Sequence, residues 1–175
     1  MTDIDADVKI DLTPLKKFGD RFQKELSGTA STGPIVAMKK QWAMRYRSFA
    51  QLRFDKASKG DGTWPPLKPS TIAGRRGGSS TILRDTGTLF AALNPVFLSQ
   101  AGALQKNIPY GIRVGFGGPA SHPSGNVSVA DIASFHHFGK GVLPTRSIIV
   151  KPPQSIVNKM VDDARRAAEK LKNDV

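Results

Sequence analysis

Three histidines are the residues of this sequence best suited to acid–base or metal chemistry. His122, His136 and His137 follow one another closely, with Asp131 between the first two. Adjacent histidines point about 100° apart on a helix, and a carboxylate shares a helical face with a histidine three or four residues away, whereas Asp131 and His136 are five apart. The spacing therefore favours a polar residue at the end of an aromatic helix over a metal site or a histidine-based nuclease centre.

Two glycine-containing motifs also lack the context that chemistry would need. The triplet 85–87, Asp-Thr-Gly, matches that of aspartic proteases, but the flanking apolar strand and the second lobe are missing. The run 115–118 is followed by neither Lys-Ser/Thr nor a helix start, as a phosphate loop would be. We instead expect Asp85 and Thr86 to cap a helix that Gly87 enters sharply. The sequence thus predicts no catalytic residue, no metal and no cofactor, and a protein that is not an enzyme.

Length and composition are those of one small domain, residues 1–175. Apolar residues make up 39%, and 17 Gly with 12 Pro indicate long irregular arms. There is no cysteine, so a disulfide framework is excluded. No apolar run approaches the ~20 residues of a membrane span, and the acidic start is unlike a signal peptide. We therefore expect no membrane contact and synthesis in a cytoplasm.

The formal charge of +12 is unevenly distributed. Residues 1–12 hold four Asp and one Lys, whereas residues 13–90 hold 15 Lys or Arg and five acids. A basic segment favours phosphate or an acidic protein surface as a partner, and a merely solvated face remains the alternative. The candidate interface residues are all cations: Lys59, Arg75, Arg76, Lys140 and Arg146. Of these, Arg75 and Arg76 lie beside Gly77 and are predicted to form an exposed tip.

The periodicity predicts an α+β protein, with a small, mostly antiparallel sheet packed against two long helices and a C-terminal helix. Helices are expected near 14–26, 34–55, 88–93, 128–138 and 154–172, with Asp11 or Thr13 capping the first. Strands are expected at 8–12, 96–98, 112–116 and 147–151, with a hairpin-like excursion over 99–110. Gly/Pro-rich loops should cover 58–80 and the insert 117–127.

Apolar stripes at helical spacing indicate which helix faces form the core. In the second helix, Lys40 and Arg47 lie well outside the apolar stripe, and Lys39 lies on its flank. Ser128 with Asp131 predicts a capping box, and Gly139 a helix stop. The stripes are Leu15, Phe18, Phe22 and Leu26; Ile35, Met38, Trp42, Tyr46 and Phe49; and Ile156, Val157, Met160, Val161, Ala164, Ala168 and Leu171.

Four motifs in order resemble the phage virion morphogenesis (tail completion) family. They are W-x-x-L with Trp64 and Leu67; I-L-R-D-T-G-T-L with Leu83, Asp85, Thr86, Gly87 and Leu89; S-F-H-H-F-G with His136, Phe138 and Gly139; and L-P-T-R with Pro144 and Arg146. The resemblance covers roughly residues 60–165. The insert after residue 117 and the run Arg-Ser-Ile-Ile at 146–149, where the family has Arg-Pro-Phe-Leu, depart from the pattern.

The resemblance implies a structural virion protein that completes the tail and joins it to the head, as a tail terminator or neck ring subunit. The implied partners are further copies of the chain in a hexameric ring, the tail tube, the head–neck connector proteins and, transiently, phage DNA. The implied location is the virion, with assembly in the host cytoplasm. The basic composition keeps a nucleic-acid-binding protein as the alternative. We further expect Trp64 to anchor its loop, and loop 58–80 to reach a neighbouring subunit or an acidic partner ring and to become ordered only on assembly.

Overall fold

The architecture is α+β, as expected: helices surround one antiparallel hairpin. The computed structural model describes residues 12–94, 102–117, 120–121, 123 and 125–174. The elements in chain order are α1 Thr13–Ser27, α2 Pro34–Ser58, α3 Pro69–Ala73, a 3₁₀ turn Arg76–Gly78, α4 Thr88–Ala92, β1 Ala103–Ile108, β2 Gly111–Phe116, α5 Val129–Phe138 and α6 Gln154–Asn173. The short helix α3 and the 3₁₀ turn lie within the segment 58–80 that the sequence predicts as a loop.

The helix α2 is the element against which most of the others pack. Its first half contacts α1 and the second half of α6, around a cluster of Ile35, Met38, Ala167 and Leu171. The indole of Trp42 donates to the carbonyl of Met160 on α6, at 2.9 Å. The predicted long helices are therefore confirmed. Of the predicted apolar stripe of α2, Ile35 and Met38 are buried, whereas Trp42, Tyr46 and Phe49 are half-buried.

Two cations of α2 that the stripe leaves outside the core are instead fully buried. The ammonium of Lys39 donates to the carbonyls of Glu25, Leu26 and Ile108, at 3.3, 2.8 and 3.2 Å. The placement of Arg47 away from the core is likewise wrong, because the hairpin and α4 cover a second face of α2. One stripe predicts one buried face, and α2 has more than one.

The hairpin pairs β1 with β2 from Ala103↔Phe116 to Ile108↔Gly111. The strand expected at 112–116 is confirmed, and β1 lies within the expected excursion. At the turn, Tyr110 has a positive φ of 59°, and its amide donates to the carbonyl of Leu26 at 2.9 Å. The strands expected at 8–12 and 96–98 fall outside the described residues, apart from Leu12.

The strand expected at 147–151 does not form, although the segment is ordered against the body of the protein. The amides of Ile148 and Ile149 donate to Nδ1 of His137, at 3.1 and 3.4 Å. The first carbonyl of the segment accepts a hydrogen bond from Arg53, at 2.5 Å. Side chains thus satisfy peptide groups that a neighbouring strand would otherwise pair.

Helix ends agree with the sequence at α5 and disagree at α1. The Ser128 hydroxyl accepts from the Asp131 amide at 3.0 Å, which confirms Ser128 as the cap, and it donates to the Asp131 carboxylate at 2.7 Å, whereas in a capping box the acid accepts from the backbone amide of the cap residue. Gly139 ends α5 with φ 73°, and a Cβ there would lie 2.6 Å from the Thr145 hydroxyl, so only glycine fits. The cap of α1 is Leu12, without a side-chain bond, so Thr13 does not cap this helix, and Asp11 is outside the described residues.

On α6 the buried face is shifted from the predicted one. Asp163 is buried and Val161 is exposed, whereas the sequence predicts the reverse. Asp163 accepts a forked pair of bonds from Arg45, at 2.7 and 3.1 Å, and a further contact from Arg166. The hydrogen bonds from Arg45 hold the pKa of this carboxyl below its usual range. A satisfied ion pair therefore occupies a position that periodicity assigns to solvent.

Candidate functional site

The site begins where α2 ends and the loop 60–67 turns back along it. Trp64 is 3% exposed, and its ring stands edge-on against Phe54, with centroids 5.0 Å apart. The indole N–H donates to the carbonyl of Ser147, at 3.4 Å. The prediction that Trp64 anchors its loop is confirmed, and the contact joins this motif to the residue directly after the L-P-T-R motif, 83 residues away in sequence.

The second motif forms the turn before α4. Gly87 takes the N-cap position of α4, with φ 73°, and the hydroxyl of Thr86 accepts from the amide of Thr88, the first residue of the helix, at 3.5 Å. The Thr86 hydroxyl lies 3.0 Å from that of Thr88. The preceding Leu83 also has a positive φ, of 56°, which is unusual for a branched residue. The turn directs Leu89 into the buried cluster beside Trp64.

Arg75 folds back instead of forming the predicted exposed tip. Its guanidinium donates to the carbonyls of Ser79 and Thr81, at 2.9 and 2.6 Å, and lies 3.6 Å from Asp85. The side chain is largely buried. Arg75 therefore closes its own turn, which corrects its assignment as a freely exposed cation; the side chain of Arg76 lies outside the described part of the chain.

The last two motifs meet at Arg146. Its amide donates to the carbonyl of His136 at 2.7 Å, and its guanidinium NH2 donates to the carbonyl of Pro65 at 3.1 Å. The residue is 3% exposed, so the expectation of an exposed interface cation is wrong here too. Arg146 instead ties the end of α5 to the loop that Trp64 anchors.

These segments enclose a groove of about 810 Å³. Its walls are the loop 65–68, the turn 83–89, one face of α5 and the loop 142–146. Three cations and one carboxylate line it: Lys68, Arg75, Arg146 and Asp85. The remaining lining is mostly apolar and includes Leu67, Leu83, Leu89, Ile132, Phe135, Val142, Leu143 and Pro144.

Two buried nitrogen atoms in the groove lack a hydrogen-bond partner among the described residues: Nε of Arg146 and Nδ1 of His136. Burial, and secondarily the charge of Arg146, lower the pKa of His136. Among the described residues no group of three His, Cys, Asp or Glu side chains could hold a metal ion. The groove thus offers apolar contact and positive charge, which suit a ligand that is partly apolar and partly anionic.

The remaining candidate residues lie around this site. Lys59 is exposed and pairs with Asp55 at 2.7 Å, and exposed Lys140 stacks over the ring of Phe135, 4.1 Å from its centroid. Phe138 is exposed at the end of α5. The structure brings the motif residues together, whereas Lys59 is not among the residues lining the groove. His122 lies outside the described residues.

The sequence reasoning missed the apolar loop that forms one side of the groove. Val142 is 99% exposed and Leu143 follows it, directly after the turn at Gly139 and Gly141. The available signal was two adjacent apolar residues between a glycine turn and Pro144, with no periodic partner. It also missed Ile132 and Phe135 as lining residues, because their spacing on α5 predicts a core face.

Comparison of the chain with protein-family models, with curated proteins and with solved structures finds no match. Within the described ranges, no helix combines the length and apolar character needed to cross a membrane.

Proposed function

We propose that this protein is a structural virion subunit of a tailed phage that completes the tail and joins it to the head through protein–protein contacts. It would work as a tail terminator or neck ring subunit, without a catalytic residue. Its partners would be other copies of itself in a ring, the tail tube and the head–neck connector proteins, in the virion.

The observation that carries this proposal is the convergence of the four family-like motifs on one groove. Trp64 bonds to Ser147 and Arg146 bonds to Pro65, so the first and last motifs touch directly. Residues that are far apart in sequence but recur together in a resemblance are expected to share one structural unit. The convergence therefore supports treating the resemblance as one motif set rather than four coincidences.

The chemistry of that unit favours a surface for assembly. Its polar groups hold backbone in place: Arg75 and Arg146 donate to carbonyls, and His137 accepts from amides. Beside them, Val142 and Phe138 expose large apolar side chains. Exposed apolar groups next to a fixed framework are typical of protein–protein contact sites.

Complementation of a phage that lacks this gene tests the proposal. Wild-type protein should restore complete tails counted by negative stain, and Val142→Asp should abolish them, because a charge replaces an exposed apolar contact. The matched control is Leu52→Asp, which changes a 66% exposed leucine on α2 outside the groove and should leave tails intact. Full tail completion without the protein, or by both variants equally, would contradict the proposal.

A nucleic-acid-binding protein is the second candidate, favoured by the outer side of the hairpin. Lys106 and Arg113 face each other across the ladder, and both are exposed. Like charges at directly opposed positions repel, and a bound phosphate would relieve that repulsion. Salt-sensitive retention of duplex DNA by the wild type, lost in Lys106→Gln/Arg113→Gln, would support this candidate; retention unchanged by the double variant would exclude this pair as the DNA site.

A further inference from the structure

The groove contains a buried cation whose hydrogen bonding is incomplete. Within the described part of the chain, the Arg146 guanidinium has one hydrogen-bonded carbonyl, Nε without a partner and no ion pair with a carboxylate. A buried charge is stable only when paired and hydrogen-bonded. Because Arg146 lines the groove, an anionic group entering it would supply the charge partner that the described residues leave out.

The rest of the lining adds a second requirement, for apolar contact. Lys68 and Arg75 add positive charge along the same groove as Arg146, against the single carboxylate of Asp85. Val142 stands almost fully exposed at the edge, where a small anion alone would not cover it. The preferred occupant therefore alternates apolar and acidic groups over several residues.

The first eleven residues of the chain have this pattern. Four aspartates occupy odd positions, and apolar side chains occupy the even positions 4, 6, 8 and 10. In an extended backbone successive side chains point to opposite sides, so one edge would be acidic and the other apolar. With one lysine against four aspartates, this segment is the acidic counterpart of a chain whose formal charge is +12.

In sequence this segment adjoins the start of α1, which the described residues leave uncovered. Leu12 and Leu15, at the start of α1, are 62% and 67% exposed. Apolar side chains at this junction favour contact with another molecule over packing on the chain that carries them. The source of the segment is therefore taken to be a second copy of the protein.

We propose that residues 1–11 of one copy lie extended in the groove of a neighbouring copy, with aspartates toward Arg146 and apolar side chains toward Leu83, Phe135 and Val142. The proposal rests on the self-association in the proposed function and names its contact. Exchange of such a segment links each subunit to the next in one direction, which is a heterologous contact that can close into a ring.

Photocrosslinking in the full-length chain tests the placement. p-Benzoylphenylalanine replaces Ile4, and equal amounts of ¹⁴N- and ¹⁵N-labelled protein are mixed, irradiated, digested and analysed by mass spectrometry. The expected products are mixed-label peptides that join the start of one copy to the groove segments 83–89, 132–136 or 142–146 of another.

Charge variants test the recognition. Replacing Asp3, Asp5 and Asp7 together by Asn should lower the crosslink yield by at least about tenfold, since each loses its charge partner. The matched control, Asp162→Asn, removes an exposed acid of α6 and should leave the yield unchanged. Arg146→Met should match the triple variant if it folds by circular dichroism; Val142→Asp, which retains Arg146, gives an independent reading.

Crosslinks confined to one copy, crosslinks mapping elsewhere, or a yield indifferent to the aspartates would each overturn the inference. Complementation separates this from the proposed function. Complete tails without inter-copy groove crosslinks would overturn the arm contact alone. Groove crosslinks in a protein that fails to restore tails would uphold the contact and contradict the tail function.

Discussion

The junction of α2 with the hairpin and the groove beside α5 each bury a guanidinium group, and the two are satisfied differently. Arg47 is fully buried and donates through both terminal nitrogens, to Ala92 and Leu104, at 2.7 and 2.8 Å. Arg146 donates from its side chain to one carbonyl and lines an open groove. Burial lowers the pKa of both groups.

The difference separates a structural cation from one available to a ligand. Arg47 connects two carbonyls on different elements, so its charge is used within the fold. Arg146 is almost as well hidden from solvent, and the Nε atoms of both groups are buried without a partner among the described residues, but Arg146 lines the groove, where a ligand can approach its side chain. Burial alone therefore says little about role; the number of satisfied donors and access to a cavity decide it.

The loop beside the groove should lose its attachment when Trp64, which anchors it, is removed. Trp64→Ala should lower the free energy of unfolding by about 3–5 kcal/mol, because a buried ring leaves a cavity against Phe54. Chemical denaturation measures this, with Leu52→Ala as an exposed control expected to change stability by less than about 0.5 kcal/mol. Similar values for the two variants would show that Trp64 does not hold the loop.

The same substitution at the two arginines tests the comparison directly. Arg47→Met should cost about 3 kcal/mol, because two carbonyls lose charged donors in a site closed to water. Arg146→Met should cost less than about 1.5 kcal/mol, since only one carbonyl loses a charged donor. Equal losses in urea denaturation would contradict the proposed division of roles.

Periodicity predicted the parts of the fold in which backbone groups bond to one another. The helices α1, α2, α5 and α6 and the strand β2 follow from their apolar spacing and from signals such as Ser128 and Gly139. Each of these elements satisfies its own amides locally or with a neighbouring strand, so local residue types suffice.

The rest could not be predicted because side chains from distant elements hold the backbone. The apolar run 147–151 has the composition of a strand, but its partners are His137, Arg53 and Tyr46 rather than another strand. Lys39 and Arg47 are cations in a helical pattern that reads as exposed, and their acceptors lie on the hairpin and α1. The sequence analysis named most of the motif residues but did not predict the groove, because the groove forms only where these distant segments meet.

Removing one such side-chain acceptor should have an intermediate effect. His137→Leu leaves the amides of Ile148 and Ile149 without their acceptor and should cost about 1–3 kcal/mol. His137→Asn offers an amide oxygen near the position of Nδ1 and should retain part of that stability. Hydrogen exchange at the two amides should accelerate in the leucine variant; unchanged exchange would indicate that another group satisfies them.

The smallest expected effect is a pH dependence of stability that arises from His136 in the groove. His136 shares the groove with Arg146, Arg75, Lys68 and Asp85, and burial followed by the charge of Arg146 lowers its pKa below the usual 6.5. The unfolded chain therefore binds this proton at a higher pH than the folded chain. The contribution of His136 to the free energy of unfolding is complete above about pH 6.5. It falls as the pH drops through the folded pKa, by at most about 1.4 kcal/mol per pH unit.

Thermal melts between pH 7.5 and 5 measure this slope, in a range above that in which the lowered pKa values of Asp55 and Asp163 act. His136→Gln should flatten it, and Arg146→Met should reduce it because one source of the lowered pKa is removed. Arg47→Met, which changes the other buried guanidinium, should leave the slope as it is. A slope that survives in His136→Gln would assign the acid sensitivity to another group and remove this distinction between the two arginines.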